Sequence, residues 1–276
     1  MSAQPIFIVS SGRAGSAMMD KALSTYPQIE MHHEYCCTHV QPVAVRKYMG
    51  LADSVDVHTM LREIYEPALN LSSAPLWGDS SNKLSWIIPE LAEHFENAKF
   101  IHVVRDGRKV ASSYLHKLGG ECYDDFAAKA LAAHVADAKH VPAPPPEKRY
   151  WWPQPPKGHP LHSEFANFDQ FQRIAFHWAE ITRVILAAFA DLPMHKTHTV
   201  RLEDLCTDPG AIQNLTEFLS LPPRNDLFEL FQRPHNVNQP KDTALTPRQA
   251  EEFGALAHHM MEHFGYSGTE EYRVAY

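Results

Sequence analysis

Residues 5–16, PIFIVSSGRAGS, set an unbroken apolar run against a polar loop with two glycines, and residues 17–23 beyond it suit a helix. A strand with no polar residue at alternate positions is buried on both faces. Helices must therefore cover it on both sides. Residues 100–104, FIHVV, repeat the pattern and run into Arg105-Asp106-Gly107-Arg108 and a helix over about 109–118. Two such units predict an α/β chain with three layers and a central parallel sheet, whose ligands sit at the carboxyl ends of the strands.

The remaining elements fit that frame. Tyr26-Pro27 ends the first helix, and residues 28–31 form a short strand with His32 to Tyr35 just past its end. A brief strand over 76–78 precedes a helix capped by Ser81 or Asn82 and running to Phe95, with a kink expected at Pro89. Apolar spacing predicts helices over 171–189 and 211–219 and a strand over 197–201. The last helix opens at Thr246-Pro247-Arg248-Gln249 with a capping box and a first-turn proline, and stops at Gly265.

Charge narrows the function classes. With 25 Lys and Arg against 33 Asp and Glu, the net charge of -8 argues against a nucleic-acid coat, although it permits a local basic pocket. The run Ile6–Val9 is too short for a membrane span or a signal-peptide core, so a cytoplasmic chain is expected. Four cysteines are too few for a disulfide framework and are expected as free thiols. No linker divides the sequence. Residues 1–276 are expected as a single domain carrying an insertion at about 141–165, in which eight of the 21 prolines surround Tyr150-Trp151-Trp152. That insertion is either packed on the body or a lid over a cleft.

Two segments carry chemistry. Ser11-Gly12-Arg13-Ala14-Gly15-Ser16 puts glycines, a cation and a hydroxyl between a buried strand and a helix start, where backbone N–H groups and the helix dipole favour an anion. It lacks the Lys-Ser/Thr pair of a Walker A loop. In RDGRKVASSY, Arg105 at a strand end and Ser113 two helical turns later face one crevice and suit a phosphate monoester. Taken singly, the first reads equally well as a plain glycine turn and the second as a solvated basic turn.

Together, IFIVSSGRAGSAMM and FIHVVRDGRKVASSY resemble the cytosolic and Golgi-type sulfotransferases, which use 3′-phosphoadenosine 5′-phosphosulfate (PAPS). WGDSSNKLSWIIPELAEHF, TVRLEDLCTDPGAIQNLTEFLSL and the terminal Phe-Gly-Tyr extend the resemblance over nearly the whole chain. It implies a P-loop-NTPase-like sulfotransferase fold, PAPS as donor, 3′,5′-ADP as product and no metal. Carried over by motif, Arg13, Ala14, Gly15, Ser16 and Ala17 face the phosphosulfate, and Arg105 and Ser113 hold the 3′-phosphate.

The departures are specific. Ala14 and Ala17 replace hydroxyl residues, and Leu202 replaces the tyrosine of a Tyr-Glu-Asp-Leu motif. Ser80-Ser81-Asn82-Lys83 stands where animal cytosolic members carry a catalytic histidine. His32-His33-Glu34-Tyr35 resembles instead the arrangement of bacterial carbohydrate and tyrosylprotein sulfotransferases, which implies Glu34 as general base, with His33 as the alternative and Arg13 as charge stabiliser. The cluster His32, His33, Cys36, Cys37, His39 and the pair His259, His263 lack a completed metal-ligand spacing. The acceptor class expected is a carbohydrate, lipid or other small molecule, with no nucleic acid. A nucleotide-dependent phosphotransferase and a non-catalytic protein that binds 3′,5′-ADP or PAPS are the competing readings.

Overall fold

Side chains of β1 (Gln4–Val9) alternate between two cores. Phe7 and Val9 enter one with Trp77 and Phe100, whereas Ile6 and Ile8 enter the other with Ile101, Val103 and Val200. Each fully buried side chain of this kind contributes about 1.5–3 kcal/mol. The computed structural model describes residues 3–224, 226–232 and 244–270.

Five strands form one parallel sheet: β1, β2 (Ile29–His33), β3 (Leu76–Ser80), β4 (Lys99–Val104) and β5 (Thr197–Arg201). Their order is β2-β3-β1-β4-β5. On the Ile6 face lie α1 (Ser16–Leu23), α8 (Leu202–Thr207), α9 (Pro209–Phe218) and α10 (Asp226–Gln232). On the Phe7 face lie α2 (Cys37–Tyr48), α3 (Ser54–Leu71), α4 (Ile88–His94) and α7 (Gln170–Ala190). A third cluster joins α7 to α5 (Gly107–Leu118) and α11 (Pro247–His263). A smaller helix, α6 (Asp125–Ala136), packs beneath the proline-rich segment through Leu131 and Trp151. The expected three-layer α/β architecture is thus present.

Local differences have local causes. Pro89 does not kink a long helix. It lies in the first turn of α4, where its missing N–H costs nothing, and a short 3-10 turn at Leu84–Trp86 precedes it. β2 runs to His33, so His32 and His33 belong to the strand and only Glu34 and Tyr35 lie beyond it. The capping box at Thr246 forms as read, with Oγ1 accepting from Gln249 N–H, and Gly265 follows the helix at φ 73°.

One buried group in the sheet works against the fold in acid. His102 on β4 is 1% exposed, and neither ring nitrogen has a hydrogen-bond partner among the described residues. Burial, reinforced by His263, lowers its pKa from 6.5 to about 3. The folded state holds the ring neutral while the unfolded state protonates it, so its contribution to stability is present above about pH 6.5 and is lost as pH falls toward about 3. His102→Leu is expected to remove this acid sensitivity, raising relative stability by about 1.4 kcal/mol per pH unit below pH 6. Denaturant melts across a pH series check this, and an unchanged acid slope would show that His102 titrates alike in both states.

Candidate active site

The strand order decides which loops meet. Reading across β2-β3-β1-β4, the carboxyl ends deliver Glu34, then Ser80–Lys83, then the glycine loop, then Arg105. Residues as far apart in sequence as 34 and 105 therefore lie along one sheet edge.

The glycine loop is built from left-handed backbone. Gly12, Arg13 and Gly15 have φ of 75°, 54° and 101°, and arginine tolerates this region only where its surroundings hold it there. The hold is visible. Ser11 C=O accepts from Tyr114 Oη at 2.9 Å and from His177 Nε2 at 3.0 Å, while Gly12 N–H donates to Ser10 Oγ at 3.1 Å. His177 is fully enclosed and its pKa falls to about 3, chiefly through burial, so it works as a neutral donor. The following helix α1 starts at Gly15 with no side-chain cap and no acid in its first turn. First-turn N–H groups at Ser16 and Ala17 thus have no acceptor within the helix.

Ala14 behaves differently from a vacant hydroxyl position. Ala14 is 0% exposed and packs with Val104, Val110 and Ala111, so the site spends that residue on core contact. Leu202 lies against Gly15, where an added Cβ would come within 2.6 Å of its Cδ1. Here glycine is required both by φ and by space.

The second motif touches the first. Arg13 Nε donates to Ser113 Oγ at 3.1 Å, and Arg105 Nη1 donates to Arg13 C=O at 3.2 Å. Arg105 Nε is buried without a partner among the described residues, an orphan donor of the kind an anionic ligand satisfies. Behind it, Asp106 N–H donates to Glu203 Oε1 at 3.0 Å and Tyr266 Oη donates to Glu203 Oε2 at 2.7 Å. This bracing fixes the turn from β4 into α5, and Trp178 Nε1 closes it by donating to Arg105 C=O at 3.2 Å.

Glu34 stands at φ 56°, directly after β2. Lys83 Nζ donates to its Oε1 at 3.0 Å, and Lys148 Nζ, from the proline-rich segment, donates to its Oε2. Lys83 is buried, and burial lowers its pKa from 10.5 to about 8. Neither lysine was singled out from sequence. Lys83 had a usable signal, a lone cation at the end of β3 in the segment that lacks the histidine, whereas Lys148 is brought in by tertiary packing alone. His33 lies at the rim with its pKa lowered, chiefly by burial and against the pull of Asp20. Asp79 on β3, also unflagged by sequence, is fully buried beneath this loop.

The proline-rich segment forms no strand and only single 3-10 turns. Trp151 and Trp152 are 2% and 8% exposed, and their Nε1 atoms donate to Pro145 C=O and Glu121 C=O, each at 2.8 Å. Their rings anchor the segment to the body. Trp152 also lies 5.7 Å from Lys83 Nζ, so this anchor forms one wall behind the Glu34 site. Among the described residues no three His, Cys, Asp or Glu side chains converge where a metal ion would sit. No described helix is long and apolar enough to cross a membrane.

Comparison with known proteins bears on the fold. Residues 5–141 match the model of the sulfotransferase family. This places it, in general class, among transferases of sulfuryl groups. Solved structures share the fold at low identity. A sulfotransferase domain from the Synechococcus PCC 7002 olefin synthase is 16% identical, with 97% of each chain covered and a TM-score of 0.53. A Mycobacterium avium sulfotransferase is 10% identical, covering 96% of this chain and 77% of its own, at a TM-score of 0.52. A sulfotransferase from Alicyclobacillus acidocaldarius is 15% identical, with 92% and 91% covered, at 0.50. No curated protein matches the chain in sequence. These structures carry the P-loop-like sulfotransferase fold, and so does this chain.

The loop geometry has a direct consequence. Gly12→Ala puts a methyl group against Tyr114 Oη and Asn82 at a left-handed position, and is expected to cost about 1–3 kcal/mol of stability. Equilibrium unfolding in denaturant measures it. Parent-like stability would show that Tyr114 does not fix the loop.

Proposed function

We propose that this chain transfers the sulfuryl group of PAPS to a hydroxyl or amine of a small-molecule acceptor such as a carbohydrate or lipid, with Glu34 as general base. One observation carries the reading. The Arg13–Ser113 hydrogen bond joins the two anion motifs across 100 residues, so that donors suited to a 5′-phosphosulfate and to a 3′-phosphate face one cleft. The orphaned Arg105 Nε supports a bound anion there. The buried, core-packed Ala14 weakens the case for a non-catalytic relic, because its methyl group has a packing role of its own. The absent Walker lysine disfavours phosphoryl transfer from ATP.

In the reaction, the acceptor O–H approaches Glu34 in place of Lys148. Its proton passes to the carboxylate as its oxygen bonds to sulfur. The bond between sulfur and the 5′-phosphate oxygen breaks, and 3′,5′-ADP leaves with the electron pair. Arg13, Ser16 N–H and Ala17 N–H stabilise the charge that develops on the sulfuryl oxygens and the leaving phosphate. Arg105 and Ser113 grip the 3′-phosphate, so binding energy remote from sulfur orients the reacting group. Lys83 holds the other carboxylate oxygen and fixes the direction in which Glu34 faces.

Binding and chemistry separate in two measurements. 3′,5′-ADP is expected to raise the melting temperature well beyond 5′-AMP, since only the former reaches Arg105 and Ser113. Arg105→Ala is expected to weaken 3′,5′-ADP binding by about 1.5–3 kcal/mol. Glu34→Gln is expected to keep that affinity and lower turnover by roughly 10²–10⁴. Equal shifts for both nucleotides would overturn the donor, and near-normal turnover of Glu34→Gln would move the base to His33.

A further inference from the structure

The turn that carries Glu34 is strained on both sides of Tyr35. Glu34 and Cys36 are non-glycine residues at φ 56° and 46°, so a single peptide stretch holds two left-handed residues. Such a turn persists only if neighbouring structure over-determines it. The neighbour is Asp79. Its Oδ1 accepts Tyr35 N–H at 3.1 Å, and its Oδ2 accepts Tyr65 Oη, from α3, at 2.8 Å. Glu34 N–H is held in turn by Ser80 C=O at 3.2 Å, the residue after Asp79.

We propose that Asp79 is a positioning residue for Glu34, its buried carboxylate holding the Tyr35 N–H and with it the left-handed turn that aims Glu34 at Lys83 beside the glycine loop. The proposal rests on Glu34 being the base. It explains a carboxylate placed where no solvent reaches it. A merely structural position in a sheet core would be filled at less cost by an apolar side chain. The carboxylate form is the better acceptor of both donors, because a charged acceptor roughly doubles a hydrogen bond's strength.

The charged and titratable groups facing Asp79 come from every side: Asp20 on α1, Tyr65 on α3, Lys83 after β3, and Tyr35 and Cys37 in the turn and the start of α2. Burial dominates and raises its pKa from 3.8 to about 7, against the Tyr35 and Tyr65 hydrogen bonds. Protonation on the acid side of neutrality therefore weakens the hold on Tyr35. Folding favours the protonated form, so Asp79 contributes stability in acid that is lost as pH rises through about 7. The turn is tightest where that contribution is gone.

Two measurements test the assignment. In wild-type protein saturated with 3′,5′-ADP, the Tyr35 amide resonance is expected to titrate with a midpoint of about 7, and Asp79→Asn is expected to abolish that titration. A Tyr35 amide that stays flat from acid to alkaline pH overturns the proposal, even if the variant does not fold. The second reads sulfuryl transfer from PAPS to water as the probe reaction. Asp79→Asn is expected to lower turnover by about 10–100-fold and to lose the acid limb near neutrality, with 3′,5′-ADP affinity unchanged. Tyr65→Phe, assayed in alkali, is expected to lose stability while its turnover stays near wild type, because Tyr35 is still held. Equal loss of turnover in both variants would mean general loosening and overturn the positioning role. Normal turnover in Asp79→Asn with a crippled Glu34→Gln would overturn it while leaving Glu34 as base. Normal turnover in Glu34→Gln would overturn both.

Discussion

The shape of the glycine loop depends on one carbonyl. Ser11 C=O, just before the left-handed Gly12 and Arg13, takes hydrogen bonds from Tyr114 on α5 and His177 on α7. Those two helices lie more than 100 residues along the chain from the loop, so tertiary packing rather than local sequence holds its shape. The same packing turns Arg13 toward Ser113 and lets Arg105 reach the Arg13 carbonyl. Fold and site are therefore one cooperative unit, and the conformational strain of the loop is offset by buried donors that would otherwise lack acceptors.

The chain is acidic overall, yet Lys83 and Lys148 both pair with Glu34, while Arg13 donates to Ser113 and Arg105 to the Arg13 carbonyl. A donor carrying several negative charges is drawn to that local group of cations. In the proposed reaction Glu34 is the proton acceptor beside these cations, the contrast that general base catalysis beside an anionic donor needs.

The legible parts were those dictated by burial on both faces. β1 and β4 stood out as continuous apolar runs, and the loops after them carried glycine, arginine and serine at spacings that survived into the structure. Residues 37–71 carried no comparable signal. Pro42 and Pro67 lie inside α2 and α3, and both helices hold because packing against Phe7, Trp77 and Leu91 outweighs local propensity. The Asp53–Asp56 capping box at the start of α3 was readable in principle, although aspartate is the less usual partner there. The left-handed Glu34 and Cys36 could not be foreseen, since nothing local favours them and the cause, Asp79, lies 44 residues away. Likewise the proline-rich segment announced itself by composition, but only the packing of Trp151 and Trp152 shows that it is anchored and that it carries Lys148 to the site.

The central claim is that the two anion motifs together hold a phosphosulfate donor whose sulfuryl group Glu34 directs to an acceptor. The most direct measurement supplies sulfur-labelled PAPS with a library of hydroxyl and amine acceptors and follows both label transfer and 3′,5′-ADP release. The account predicts a labelled acceptor appearing in step with 3′,5′-ADP, and loss of both signals in Arg13→Ala. Binding of 3′,5′-ADP with no label moved to any acceptor or to water would contradict it.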